Sequence, residues 1–524
     1  NRWRLPTCPI VPLMKTIHDR ITLEIARGCT RGCRFCQAGM VCRPVREKEP
    51  EVLLDMADRN LSATGYEEIS LLSLSSGDYT YIEPLLSLLM DRYYNQRIAL
   101  ALPSLRVETL TKKLMDDIKR VRKTSFTLAP EAGTQRLRNV INKGNTEEEL
   151  LTTVRQVFDA GWKAVKLYFM IGLPSETPED LEGISNLAHR ALREGKNRGQ
   201  VTVSLSTFVP KPHTPFQWSR QITMAETLEK QNYFRQVIRN RNLSVKWHDY
   251  RMSFLEGILS RGDEQTGFLI EEAYRRGARF DGWSDLFHFS HWENALDNRY
   301  INREDPLVEK DPSATLPWDH IDAGLTRAFL QQEAEKAGRQ ESTPDCRFSP
   351  CHNCGVCDHV NIKTILACDM EHILCEKPRP ETSTPGEIAR EKRFRILFTK
   401  KGRSRLLSHL EVSSALIRAL KQSGLRFIYS QGFHPHPRIS FAVATSVGME
   451  SLAEYADIRV EEPIPNTMVF METANRCLPS GMALLKMTAL TLTEPSLSEA
   501  ILAFQYRVIL PPRETIRPAR EINN

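Results

Sequence analysis

Between about residues 20 and 210, short β-rich apolar runs alternate with longer segments of helical period, and this alternation constrains the fold most. The runs fall at 21–25, 69–74, 98–102, 124–128, 164–171 and 201–208, with helix candidates at 50–62, 82–94, 111–120, 147–159 and 178–193. Thr177 followed by Pro178 reads as an N-cap before a first-turn proline. Six βα units with nearly continuous apolar strands predict an α/β fold, a parallel sheet covered by helices. An open six-stranded sheet and a barrel-like closure both satisfy the pattern.

After residue 220 the strand signal fades, and 222–335 reads as mostly helical, polar and rich in tryptophan, with a connector at 304–317. The stretch CEKPRPETSTPG at 375–386 has linker composition. Beyond it, strands at 394–399, 440–444 and 455–460 and a helix at 409–422 predict a small α+β domain. A length of 524 residues suits about three domains, here 1–220, 221–380 and 386–524. No apolar stretch approaches a membrane span and no secretory pattern opens the chain, so it reads as cytoplasmic, with no membrane partner. The first residue is Asn1 rather than Met, so an upstream segment is expected.

The 12 cysteines are clustered rather than scattered. Two short clusters in a long unsecreted chain point to metal sites rather than disulfides. Residues 27–40 read RGCTRGCRFCQAGM, placing Cys29, Cys33 and Cys36 in C-x3-C-x2-C spacing. Three thiolates on one glycine-bearing loop can hold three irons of a [4Fe–4S] cluster and leave the fourth open. A closed zinc site needs a fourth ligand, which Cys42 or a distant histidine could supply. The loop follows directly on the first strand, at the C-terminal mouth where βα barrels place their chemistry.

With an aromatic, Phe35, before the last cysteine, residues 15–220 resemble the radical S-adenosylmethionine (SAM) superfamily. The resemblance implies a partial (β/α)6 TIM-like barrel in which Cys29, Cys33 and Cys36 are catalytic and bind the cluster. The open iron would bind the amino and carboxylate groups of SAM, and reductive cleavage would give a 5′-deoxyadenosyl radical. An electron donor such as flavodoxin or ferredoxin is implied as a partner. Ser76, Gly77 and Asp78 close the second strand, where the family has a Gly-Gly-Glu-like turn for the SAM amino group. Ser104 and Arg106 follow the third strand. After the fourth, APEAGTQRLR would place Glu131 at the ribose and Arg136 by the SAM carboxylate. Ile171 and Gly172 match the family's adenine-side motif; Thr207 and Phe208 would lie by the adenine, with Lys211 facing the pocket.

Residues 345–358 read DCRFSPCHNCGVCD, so Cys346, Cys351, Cys354 and Cys357 can enclose one centre, either zinc or a second [4Fe–4S] cluster. Beside a radical SAM-like core, iron–sulfur is the preferred reading, with a structural staple as the alternative.

Further motifs between residues 247 and 321, including WHD, FLEG, SRGD, FDGW and LPWDHI, resemble an uncharacterised bacterial radical SAM family. A cobalamin-binding-like domain usually precedes that family and is absent from these residues, so cobalamin dependence stays open. His248, Asp249, Arg261, Asp263 and His320 are candidate substrate contacts, with helix caps and structural ion pairs as the alternative. Residues 388–524 resemble the radical-SAM-associated domain, through GRSRLLSHLE and YSQGFHPHPRISFA.

Residues 390–447 hold 12 Lys or Arg against 2 Asp or Glu, a balance of +10, whereas the whole chain carries +6 and the remainder therefore −4. Arg393, Arg395, Lys400, Lys401, Arg403, Arg405 and Arg438 are candidate RNA contacts, with Phe427, Tyr429, Phe433 and His434 for stacking. A solvated basic face is the alternative. Together the features predict a radical SAM transferase that modifies RNA, either rRNA or tRNA. Radical modification of a peptide or protein side chain, and a non-catalytic metal-stabilised RNA-binding protein, are the competing readings.

Overall fold

The apolar runs become parallel strands in the computed structural model of the chain, which describes residues 6–14, 16–102, 106–107, 111–119, 121, 126–196, 198–298, 305–368, 391–431, 435–462, 466–491 and 493–508. Strands β1 (Ile21–Glu24), β2 (Glu68–Leu72) and β3 (Ala99–Ala101) form one sheet, in that order, with Ile21 opposite Ile69. Strands β4 (Phe126–Glu131), β5 (Ala164–Ile171), β6 (Gln200–Thr207) and β7 (Leu243–Trp247) form another, again parallel and in sequence order. Leu23, Leu71, Leu128, Leu167, Phe169, Val201 and Val203 are fully buried, as expected of parallel strands covered on both faces.

The intervening helices are α1 (Gln37–Val41), α2 (Pro50–Thr64), α3 (Ile82–Tyr93), α4 (Lys112–Lys119), α5 (Gln135–Val140), α6 (Glu147–Asp159) and α7 (Pro178–Glu194). Helix α6 opens on a capping box in which the Glu149 N–H donates to Thr146 Oγ1 at 3.2 Å and the Thr146 N–H donates to Glu149 Oε2 at 2.7 Å. Thr177 and Asp180 form the same device at α7, with Pro178 at its first position.

Two expectations change. Strand β7 lies in the region where strand signal fades, because LSVKW alternates buried and exposed positions instead of forming an apolar run. The segment 221–380 is also not a unit of its own. The chain divides into one compact unit of Asn1–Cys8, His18–Leu61 and Tyr66–Thr382, and a second of Pro9–Ile17, Ser62–Gly65 and Ser383–Asn524. Strand β7 extends the sheet of the first unit, and helices α8 (Met224–Val237), α9 (Tyr250–Arg261), α10 (Gln265–Arg275), α11 (Phe289–Asn298) and α12 (Arg327–Gly338) belong to that unit as well. Among the described residues no helix is long and apolar enough to cross a membrane.

In the second unit, β8 (Glu391–Lys400), α13 (His409–Gln422), β9 (Ile439–Phe441), β10 (Ser451–Glu461), α14 (Thr467–Cys477) and β11 (Met482–Leu490) follow one another. The sheet is antiparallel in the order β9-β10-β8-β11. Alternate residues Phe394, Ile396 and Phe398 of β8 pack with Leu416 and Leu420 of α13 and Phe470 of α14.

Candidate functional site

Parallel strands bring their carboxy-terminal ends to one edge, and the loop after β1 carries Cys29, Cys33 and Cys36. Gly28 turns the chain into this loop at φ +86°, where an added Cβ would lie 2.2 Å from the Pro44 carbonyl oxygen. Cys36 caps α1, its Sγ accepting from the Gly39 N–H at 3.3 Å. Burial, with the neighbouring Cys33 and Asp78, pushes the Cys29 thiol up to about 11, and burial raises Cys36 as well. The three sulfurs thus lie within mutual electrostatic reach, a donor set that fits three irons once their protons are displaced.

Arg106, after β3, donates from Nη1 to Cys33 Sγ at 3.7 Å and also bonds the Lys143 carbonyl. Lys143 Nζ lies 3.2 Å from Glu131 Oε1, and Glu131 ends β4 at φ +67°, an uncommon conformation for a non-glycine residue. Cations from the segments after β3 and after α5 therefore border the cysteine loop. Among the described residues all cysteines are free thiols, and no three Cys, His, Asp or Glu side chains already close on one point.

The segment around Cys346 is bound to the same loop by side chains far apart in sequence. Arg31 grips both oxygens of Asp78, with Nε at 2.9 Å from Oδ2. Arg347 donates from Nη1 to the Asp78 carbonyl at 2.8 Å and pairs with Asp345 at 2.8 Å, while Thr30 Oγ1 donates to Asp345 Oδ1 at 2.6 Å. Burial pushes the Asp78 and Asp345 carboxyls up, but Arg31 and Arg347 outweigh it and hold both below the ordinary range. Asn142 donates to the carbonyls of Arg31, Gly32 and Thr343. Arg34, enclosed between Cys33 and Phe35, bonds Glu333 and the carbonyls of Asn139, Val140 and Glu341.

Four thiols, Cys346, Cys351, Cys354 and Cys357, follow in this second segment. Arg43 supplies positive charge to Cys346 and Cys357, whose thiols burial raises. Gly355 sits at φ +99° where a Cβ would meet the Gly324 oxygen at 2.9 Å, and the Cys354 carbonyl accepts from the Thr326 N–H at 2.9 Å. These thiols suit zinc or iron equally by donor type.

The model of the "Radical SAM superfamily" matches residues 23–188, spanning the cysteine loop and strands β1 to β5. The chain carries a radical SAM domain. Residues 393–524, in the second unit, match a family described as "Uncharacterized protein conserved in bacteria (DUF2344)". An uncharacterized protein of Methanocaldococcus jannaschii is 33% identical over 250 residues, 48% of this chain and 53% of that protein. The tRNA-2-methylthio-N(6)-dimethylallyladenosine synthase of Desulforamulus reducens is 24% identical over 33% of this chain and 39% of its own length. The ribosomal protein uS12 methylthiotransferase RimO of Thermodesulfovibrio yellowstonii is 23% identical over 36% and 48%. The chain spans about half the length, or less, of these curated relatives. Among solved structures, the radical SAM methyltransferase TsrM of Kitasatospora setae aligns at 16% identity over 38% of each chain with a TM-score of 0.31. The cobalamin-dependent radical SAM enzyme OxsB aligns at 13% identity over 61% of this chain and 53% of that one, with a TM-score of 0.32.

Within the radical SAM domain, several candidate residues take other work. The Arg136 guanidinium is held by Asp180 and by the Ser175 carbonyl at 2.8 Å, at the start of α7. Asp78 faces Arg31, and the Ser76 hydroxyl is buried and bonded to the Leu71 carbonyl at 3.2 Å. Gly77 lies in the same 3-10 turn. Phe208 is buried against Phe216, in an apolar cluster on which Phe35 packs, so it offers no open face to an adenine. Ile171 is fully buried, whereas the Gly172 N–H donates to Glu176 at φ +81°. Thr207 is half-buried at the end of β6. Ser104 lies outside the described residues.

The candidate substrate contacts disperse. Lys211 pairs with Glu256. Asp249 caps α9 and Asp263 accepts from the Gln265 N–H at 2.9 Å. Arg261 is enclosed by the carbonyls of Pro306, Gln217, Ser219 and Val308, and burial lowers it to about 10. Asp249, Asp263 and Arg261 thus have the helix-cap and structural partners that were the alternative to substrate contact. His248 and His320 are exposed.

In the second unit the basic run also divides. Arg393 and Arg395 share Asp457, at 2.6 and 2.8 Å, and both bond the Pro495 carbonyl. Lys400 is buried with its Nζ at the Thr445 and Ser446 carbonyls. Phe427 belongs to the core. In this structure Arg393, Arg395, Lys400 and Phe427 are engaged by partners within their own unit. Lys401, Arg403, Arg405 and Arg438 are exposed; Phe433 and His434 lie outside the described residues. Sequence reading missed Arg34, Arg43, Asn142, Lys143, Asp345 and Arg347. The local signal was the position of Arg34, Arg43, Asp345 and Arg347 beside cysteines.

Proposed function

We propose that the chain reductively cleaves SAM to a 5′-deoxyadenosyl radical and uses it to modify an RNA nucleotide. The observation that carries this reading is the three-thiol loop at the strand ends of a radical SAM domain, bordered by Arg106, Lys143 and Glu131. Bound there, a [4Fe–4S] cluster supplies the electron for SAM cleavage. Cys29, Cys33 and Cys36 would hold it. Arg106 and Lys143 would offset developing negative charge, while Glu131 offers a carboxylate to ribose hydroxyls. Exposed Lys401, Arg403, Arg405 and Arg438 supply cations for a phosphate backbone. One relative carries tRNA in its name, which favours the RNA substrate.

The test reconstitutes the full chain with iron and sulfide without oxygen, reduces it and follows 5′-deoxyadenosine from SAM. Nucleosides of RNA treated with the protein are then compared by mass spectrometry with those treated with Cys33→Ala. Formation of 5′-deoxyadenosine with a mass change in one nucleoside supports the reading; no SAM cleavage ends it. Protein side-chain modification is the second reading, favoured by the relative that acts on ribosomal protein uS12. It requires the mass change in a protein fraction instead.

A further inference from the structure

Cys346 is flanked by Asp345, whose carboxylate reaches Thr30 and Arg31 of the three-cysteine loop, and by Arg347, which reaches Asp78 in the turn after β2. Asp345 accepts from Thr30 and Arg347 at 2.6 and 2.8 Å, and lies 3.6 Å from Arg31 Nε. Arg347 reaches the Asp78 carbonyl at 2.8 Å and its carboxylate at 3.7 Å. Arg347, Asp345 and Asp78 are all buried to within 8% of side-chain exposure. Two cations and two anions thus form one closed network with its partners on both loops, so its members hold one another in place. A cavity beside Cys29 is lined by Gly28, Cys29, Thr30, Ser75, Asp78 and Arg347. Fixing Cys346 in a metal site fixes the backbone on which both Asp345 and Arg347 stand.

We propose that Asp345 and Arg347 are positioning residues that couple the four-cysteine segment to this cavity, so that filling the second cysteine set tightens SAM binding at the first. This rests on the reading of the first loop as the SAM site. Coupling of this kind is reciprocal, so SAM tightens metal binding at the second set by the same factor.

The test uses the full chain loaded with iron and sulfide, with SAM affinity measured by equilibrium dialysis. The change in the cluster spectrum on adding SAM is recorded beside it. Arg347→Gln and the pair Cys351→Ser with Cys354→Ser should each weaken SAM binding about tenfold. Combining all three substitutions should weaken it no further, because both act through the same link. Arg347→Lys should recover part of the affinity and of the spectral change. Should Arg347→Gln not fold, Asp345→Asn carries the same expectation. Affinity within twofold of the unaltered protein, or losses that multiply on combination, overturns the coupling alone. No SAM binding by the unaltered protein overturns both the coupling and the reading of the first loop.

Discussion

The Arg34 guanidinium meets the Glu333 carboxylate at 3.2 Å, and neither side chain is more than 1% exposed. One partner stands between Cys33 and Phe35, the other on α12, so the pair fastens the cysteine loop to the helix that precedes the second segment. Without Arg34 the buried Glu333 keeps Lys336 and Thr343 as partners but loses the guanidinium that ties it to the cysteine loop. Arg34→Ala should therefore cost about 1.5–3 kcal/mol, read as a lowered urea midpoint with little change in slope.

Burial pushes the Glu333 carboxyl up, but hydrogen bonds from Lys336 and Thr343 and the charge of Arg34 outweigh it and hold it below its ordinary 4.5. A carboxyl lowered in the folded state contributes stability that is present above the unfolded value and lost as pH falls through the folded one. The melting temperature of the metal-free protein should fall as pH drops below about 4.5. Glu333→Gln should flatten that slope, and an unchanged slope would count against the pair.

Gly28 has no room for a side chain: a Cβ would lie 2.2 Å from the Pro44 oxygen and 2.4 Å from the Cys42 oxygen, at φ +86°. Gly28→Ala must shift the entry to the cysteine loop. Iron retained at the first loop after reconstitution should fall several-fold, measured in a background where Cys351 and Cys354 are serine. Full retention would show that the turn is not required.

Asp457 is buried between Arg393 and Arg395. Asp457→Asn leaves two neighbouring guanidiniums without their counter-charge and should destabilise the second unit by about 3–5 kcal/mol. Hydrogen exchange at β8 and β10 should accelerate while exchange at β5 and β6 stays unchanged.

Joint replacement of Lys401, Arg403 and Arg405 by Ala should weaken RNA binding uniformly across sequences and flatten its dependence on salt. The melting temperature should stay within a degree or two, since all three are exposed. Undiminished RNA affinity would remove this surface from the proposal.

The strand and helix alternation was legible because each element carries its own period. Helix 147–159 and strand 164–171 match their expected bounds. Strand β7 was not, because an edge strand with alternating exposure looks like the polar helices around it. Arg393 and Lys401 are indistinguishable as letters in a basic run, yet one is buried against Asp457 and the other is exposed.

The sequence alone determined the α/β alternation, the two cysteine sets and their spacing, because metal-ligand loops and strand periods are local patterns. Only the tertiary structure decided which charges are committed and that the two cysteine segments share one ion network. Arg31 with Asp345 and Arg347 with Asp78 are joined across more than 260 positions of chain. Such pairs form only when distant backbone segments are brought within a few ångströms. Burial then strengthens the attraction between their charges.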